Sequence, residues 1–241
     1  MAVTTAPKPP APQGFSRTTA GRLWASTVGK KAVMAVTGGV LLLYVVAHMA
    51  GNLKVFAGAD SIDGYGRFLR EFLAPVLGHS GFLWVVRAVL LLAVVLHMTA
   101  AIQLARRARK ARPTGYAHRA RVPGGYAART MRWGGVIIAL FVVYHVLDLT
   151  AGVLNPHGVE GAIHDNVVAD FRHWYVVLAY TVAVVALGFH LRHGVWSALR
   201  SLGMGSARRA AAVQAAALGV AVLITAGFLS VPYAVLFGFV R

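Results

Sequence analysis

Five long runs of apolar residues, separated by short polar segments, dominate the hydrophobic pattern of the chain. They cover approximately residues 31–56, 82–105, 131–154, 171–196 and 210–239. A helix needs roughly 20 consecutive apolar residues to cross the hydrocarbon core of a bilayer, and each run reaches that length. The pattern therefore predicts an all-α integral membrane protein, a bundle of five transmembrane helices.

The composition agrees with lipid as the solvent of most of the chain. Charged residues make up only 13% of it, against about 25% in a typical soluble domain. The net charge of +17 does not predict a nucleic-acid partner, because the positive charges flank apolar runs. The chain has no cysteine, which excludes disulfides, thiolate zinc sites and cysteine-ligated iron–sulfur clusters within it.

The polar segments predict the domain organisation. Residues 1–25 are rich in Pro, Ala and Thr and lack the apolar core of a signal peptide, so we expect a flexible N-terminal segment. The connections between the apolar runs are short. Residues 26–241 are therefore expected to form one membrane domain.

Basic residues are distributed unevenly between the two ends of the predicted bundle. Of the 24 lysines and arginines, 18 lie in the N-terminal segment and in the second-to-third and fourth-to-fifth connections; we call this the basic end. All seven acidic residues lie at the opposite end, the acidic end. Because basic segments remain cytoplasmic, the asymmetry predicts a cytoplasmic N-terminus. The basic end could also bind an acidic soluble partner or anionic lipid.

Four histidines lie within the first four apolar runs, one in each: His48, His97, His145 and His190. A histidine inside a membrane span is costly and marks a candidate functional site. His97 precedes Arg106 by nine residues, which places it roughly 14 Å from the basic end. His190 precedes Arg200 by ten, or roughly 15 Å.

The other two histidines lie farther from the basic end. His48 follows Lys30 by eighteen residues, roughly 27 Å, and His145 follows Arg132 by thirteen, roughly 20 Å. The heights therefore predict two pairs. We call His97 and His190 the inner pair, and His48 and His145 the outer pair.

Two imidazoles that face each other across a bundle are suited to a haem iron with two axial ligands. Two such haems would carry electrons across the membrane. A zinc site is disfavoured because zinc usually takes four ligands at one point. A weak internal repeat agrees with the pairing, since Gly38 and Gly135 each precede an outer-pair histidine by ten residues.

Six short motifs occur in a specific order along the chain. They are residues 26–31 (STVGKK), 34–38 (MAVTG), 48–53 (HMAGNL), 144–150 (YHVLDLT), 188–197 (GFHLRHGVWS) and 200–203 (RSLG). Together they resemble the cytochrome b subunit of succinate dehydrogenases, in particular the bacterial single-anchor type with five helices and two haems. The resemblance extends over residues 26–241.

This resemblance implies two haem b groups, with His48 and His145 as ligands of the outer one and His97 and His190 as ligands of the inner one. It implies a flavoprotein subunit and an iron–sulfur subunit on the cytoplasmic face of a bacterial cytoplasmic membrane. The implied activity is electron transfer from succinate to a quinone, with menaquinone expected for this type. A higher oligomer of the complex stays open.

Further polar residues are candidates for cofactor contacts. Arg87, Arg192 and His193 could bind haem propionates, which are anions, and His193 is also an alternative ligand to His190. Asp148 is a candidate for an outer quinone site, or for an ion pair with Arg87. Trp24, Ser26 and Lys30 resemble the position at which many family members bind quinone. Tyr65, Arg67 and Arg70 lie in the outer loop, and the sequence does not decide whether they contact a cofactor.

Other classes of protein remain open at this stage. A fumarate reductase would use a similar anchor, and a formate dehydrogenase or nitrate reductase also has a membrane haem subunit. A structural anchor without haem and a non-haem membrane transporter are further alternatives. A transporter usually has spans broken by Gly or Pro, and the first four spans contain no proline. A cytochrome b of the bc type is disfavoured, because no span carries two histidines about fourteen residues apart, as in that family.

Overall fold

The computed structural model describes residues 18–111, 125–201 and 206–241. These residues form nine α-helices and two short turns of other helical type. The helices are α1 (Thr19–Ala25), α2 (Thr27–Asn52), α3 (Ala59–Glu71), α4 (Ala74–Leu77), α5 (Gly81–Lys110), α6 (Gly125–His145), α7 (Ile163–Phe171), α8 (Trp174–Ser201) and α9 (Ala207–Leu236). A 3₁₀ turn, Leu53–Ala57, extends α2, and a π-helical turn, Val146–Thr150, extends α6.

Five of these helices, α2, α5, α6, α8 and α9, are long and apolar enough to cross a membrane. The prediction of an all-α protein with five such helices is thus confirmed for the described part of the chain. Two boundaries differ from the hydrophobic pattern. The third span ends in the π-helical turn at Thr150, and the fourth begins at Trp174, because the apolar residues before it belong to the separate helix α7.

The beginning of the chain is only partly described. Residues 1–17 of the predicted flexible segment lie outside the described residues, and the helix α1 follows them. Ser26 ends α1 and caps α2, because its Oγ accepts a hydrogen bond of 2.8 Å from the Gly29 amide. Such a cap satisfies an amide that has no partner within the helix.

The five long helices pack as two groups. One group is α2 with α5, and the other is α6, α8 and α9, with α8 the most buried of the five. The groups meet where α9 packs against α2, and there Gly227 faces Met49 so closely that a Cβ at this position would clash with the sulfur atom. Small residues of this kind let membrane helices approach each other.

Short helices cover the acidic end of the bundle, and the hydrophobic pattern did not predict them. Helix α7 packs against α3 and against the ends of α8 and α9. The Asp63 carboxylate joins α3 to α7 by accepting a 3.0 Å hydrogen bond from the His164 amide. Val55, Ile62, Phe171, Val177 and Val231 are buried in the resulting apolar core. Burial of each such side chain contributes about 1.5–3 kcal/mol relative to water.

Candidate functional site

The four predicted histidines meet in two pairs inside the bundle. In the outer pair, the ring centres of His48 on α2 and His145 on α6 are 5.7 Å apart. In the inner pair, those of His97 on α5 and His190 on α8 are 6.3 Å apart. Each pair joins one helix of the α2–α5 group to one helix of the α6–α8–α9 group. The two histidines of each pair therefore face each other across the boundary between the two helix groups.

A metal ion bound between two imidazoles requires this spacing. Each metal–nitrogen bond is about 2 Å long and each ring centre lies roughly 1 Å beyond its nitrogen, so the centres stand about 6 Å apart. Among the described residues, no site brings together three or more histidine, cysteine or carboxylate side chains that could hold a metal ion. The side chains thus suit centres with two protein ligands, and do not suit a tetrahedral zinc site.

Thr37 lies within hydrogen-bond distance of His97 in the inner pair. The Thr37 hydroxyl donates to the Val33 carbonyl over 2.7 Å and lies 3.2 Å from His97 Nδ1. In the tautomer that satisfies both bonds, the hydroxyl donates to Val33 and Nδ1–H of His97 donates to the hydroxyl. Nε2 then carries the free lone pair that a metal ligand needs.

In the outer pair, Tyr180 lies within hydrogen-bond distance of His145. Its hydroxyl donates to Asp148 Oδ2 over 2.9 Å and lies 3.2 Å from His145 Nδ1. In the tautomer that satisfies both bonds, His145 Nδ1–H donates to Tyr180, and Nε2 of His145 is left as a lone pair. Aromatic rings hold His145 on two further sides, with Phe141 stacked at 5.7 Å and Tyr180 edge-on at 5.9 Å.

The partner histidine in each pair is held differently. His48 stacks on Tyr44 with ring centres 5.4 Å apart and planes at 10°, and Phe228 lies 5.9 Å away. His190 has a buried Nδ1 without a hydrogen-bond partner among the described residues. A buried polar atom without a partner is costly and calls for an explanation, of which a redox role is one.

Two glycines lie beside the inner pair. A Cβ at Gly38 of α2 would lie 3.3 Å from His97 Cε1, and a Cβ at Gly135 of α6 would lie 4.0 Å from His190 Cε1. Both glycines precede an outer-pair histidine of their own helix by ten residues. The two pairs are therefore separated by about 15 Å along the bundle. The sequence repeat has a structural counterpart, because α2 and α6 each supply one outer imidazole and one glycine beside an inner imidazole.

Within the described ranges, the helices that carry the inner pair do not pack closely against each other. Among the described residues, α5 packs along α2 but not closely against α6 or α8, although His97 of α5 meets His190 of α8. The His97 and His190 side chains span the gap between α5 and α8. This arrangement fits a flat group inserted between the two helix groups, with the paired histidines on its two faces.

His193 and Arg192 are the other candidates near the inner pair, and neither is a member of it. His190, and not His193, faces His97; the His193 ring lies 5.8 Å from that of Trp196. Arg192 is exposed and lines a groove between α8 and α9, together with Gly188, Phe189 and Thr225. The structure thus favours His190 over His193 as the member of the inner pair.

Arg87 and Asp148 do not form the ion pair that was one of the two interpretations of these residues. The Arg87 guanidinium lies 4.8 Å above the exposed Trp84 ring, which is typical of an arginine at a membrane interface. Asp148 is completely buried and bonded to Tyr180. The assignment of Asp148 to an outer quinone site stays a prediction.

Trp24, Ser26 and Lys30 come together at the basic end of α2. The Lys30 ammonium group is buried, donates to the Trp24 carbonyl oxygen and lies 5.0 Å from the Trp24 ring centre. Arg107 of α5 donates to the Ala25 carbonyl over 2.8 Å. With the Ser26 cap, these contacts hold α1 against α2 and α5, so the three candidates have structural partners here.

Sequence reasoning missed Thr37, Tyr180 and Asp170, the polar residues that hold or adjoin the histidines. A usable signal exists for Thr37, which lies in an apolar span at a height close to that of His97. Asp170 comes directly before an apolar run and its partner cannot be read from the pattern.

No family model, no curated protein and no solved structure matches the chain. A function must therefore be argued from the geometry of the histidine pairs and from the motifs of the sequence.

Proposed function

We propose that this chain is the di-haem cytochrome b membrane anchor of a succinate dehydrogenase and passes electrons from an iron–sulfur subunit to a quinone. The observation that carries the proposal is the presence of two imidazole pairs with ring centres 5.7 and 6.3 Å apart inside a bundle of apolar helices. The assignment to succinate and menaquinone rests on the motif resemblance alone.

The residues of the chain would act as ligands and as holders of ligands. His48 and His145 would hold one haem b, and His97 and His190 the other. Iron with two histidine ligands supplies one-electron transfer and leaves no open position for oxygen. Thr37 and Tyr180 lie at Nδ1 of His97 and His145, so that Nε2 of each histidine would be the iron ligand.

The docking face in this proposal is the basic end. Exposed cations there include Lys31, Arg106 and Arg107 on α2 and α5, and Arg208 and Arg209 on α9. A surface of this charge suits an acidic patch on a soluble partner, since complementary charge steers association. In the proposed complex the partner is the iron–sulfur subunit, with the flavoprotein subunit beyond it.

Haem content tests the proposal directly. We expect a pyridine haemochrome assay of the purified chain to give about two haem b per polypeptide, because each histidine pair fills both axial positions of one iron. A content near zero would exclude the cytochrome and leave a structural anchor or a transporter.

Reporter fusions test the orientation. We expect a reporter inserted near Gly115 to be cytoplasmic and one fused after Arg241 to be periplasmic, because the basic end should remain inside. Opposite locations at both positions would move the docking face to the other side of the membrane.

A further inference from the structure

Two aspartates lie in the apolar core at the acidic end. The exposed fraction is 0% for Asp148 in the π-helical turn and 1% for Asp170 near the end of α7. Their chain neighbours Leu149 and Phe171, and Tyr180, which is bonded to Asp148, belong to this core or pack against it. Among the described residues, the only ion pair joins His164 to Asp165, so neither buried carboxyl has a cation beside it. Two ionised carboxylates at such a site would be costly in desolvation and in mutual repulsion.

The hydrogen bonds of the two carboxyls are incomplete without an additional proton. Tyr180 donates to Asp148 Oδ2, whereas Asp148 Oδ1 and Asp170 Oδ2 are buried without a partner among the described residues. Both atoms are acceptors if the two groups are ionised. A proton on one carboxyl supplies the missing donor and halves the buried charge.

We propose that Asp148 and Asp170 share one proton and form a buried proton-binding site that ties α7 to the end of α6 and, through Tyr180, supports His145. The shared proton does not depend on the proposed function. Only the consequence for His145 as a haem ligand does.

Electrostatics agrees with this geometry. Burial, a hydrogen bond that protonated Asp170 donates to the carboxyl of Asp148, and the negative charge of Asp148 together raise the pKa of Asp170 to about 8. The titratable side chains around the pair are Tyr144 on α6 and Tyr180 on α8, which both interact with the two aspartates. Helix α3 contributes Asp63, which is already bonded to the His164 amide, and Tyr233 of α9 interacts with Thr181.

The sign of the pH dependence follows from the raised pKa. The ordinary pKa of an aspartate is 3.8, so between about pH 4 and pH 8 the folded protein holds a proton that the unfolded chain releases. Stability must therefore fall as the pH rises through this window. Above about pH 8 the pair loses its proton and the two carboxylates repel each other.

Substitution by asparagine tests the proposal, because an amide carries a donor at every pH. For the full chain in detergent, we expect the thermal midpoint of the wild type to fall between pH 6 and pH 9. Asp170→Asn should match the wild type near pH 4, where folded and unfolded wild type both hold the proton, and should exceed it by a growing margin up to about pH 8. Glu160→Gln removes an exposed carboxylate at the same end and should leave the wild-type profile unchanged.

Infrared spectroscopy reads the proton itself. We expect a protonated-carboxyl band at pH 6 that shifts on hydrogen–deuterium exchange, disappears above about pH 8, and is absent from Asp170→Asn. If the wild type lacks this band, or if Asp170→Asn keeps the full pH dependence of the thermal midpoint, the shared proton is disproved. Both measurements are independent of haem content, so they separate this proposal from the proposed function.

Discussion

His97→Ala and His190→Ala are each expected to remove one and the same haem, so that the content falls from about two to about one per chain. The reason is geometric: the two rings stand 6.3 Å apart, and a single imidazole cannot fill both axial positions. His48→Ala and His145→Ala should remove the other haem, because their rings are 5.7 Å apart. Reduced-minus-oxidised spectra of the four variants, resolved into two haem signals, are the measurement.

His193→Ala is the matched control for the inner pair. It removes an imidazole one helical turn from His190 that contacts Trp196 and does not face His97. We expect this variant to keep both haems. The pairing would be wrong if His48→Ala and His97→Ala lost the same haem signal, or if His193→Ala lost a haem and His190→Ala did not.

Gly38→Leu is expected to abolish the inner haem while the outer haem is retained. A Cβ at this position would already lie 3.3 Å from His97 Cε1, so the rest of a leucine side chain must displace the imidazole. Overpacking of this kind costs about 1–3 kcal/mol, and here the strain falls on a ligand whose position has to be accurate within a fraction of an ångström. Haem content and the spectrum of the remaining haem are the readouts.

The neighbouring glycine provides the control. Gly39 is exposed, and a Cβ there meets no atom within 4 Å. Both substitutions replace an interior helix glycine by leucine and gain similar helix propensity, up to about 1 kcal/mol. They therefore differ in the contact with His97. Equal haem contents in the two variants would show that the close approach of Gly38 to His97 does not determine the inner site.

The long helices were predictable because their signal is local. An apolar run of sufficient length indicates a span whatever the rest of the fold does, and all five runs correspond to helices. The short helices α3, α4 and α7 were not predicted, since they are shorter than a span and lie among polar residues. Their presence explains why the fourth span begins three residues later than the pattern indicated.

The grouping of the histidines was also accessible from the sequence. A helix rises by a fixed distance per residue, so the distance of each histidine from a basic boundary gives its height. Only histidines at equal heights can pair, so each of the four has few possible partners. The structure adds which rings meet, and it distinguishes His190 from His193, a choice that residue spacing left open.

The sequence by itself determined the five apolar helices, the two heights of the histidines and the asymmetry of charge, because each depends on residues that are close along one helix. Only the tertiary structure decided how those histidines are held. Tyr180 lies 35 residues from His145 and 32 from Asp148 in the chain. The contact between Asp148 and Asp170 likewise joins different helices. The packing of the helices determines these partners. The sequence contains no periodic pattern from which the partner of a buried polar group could be predicted.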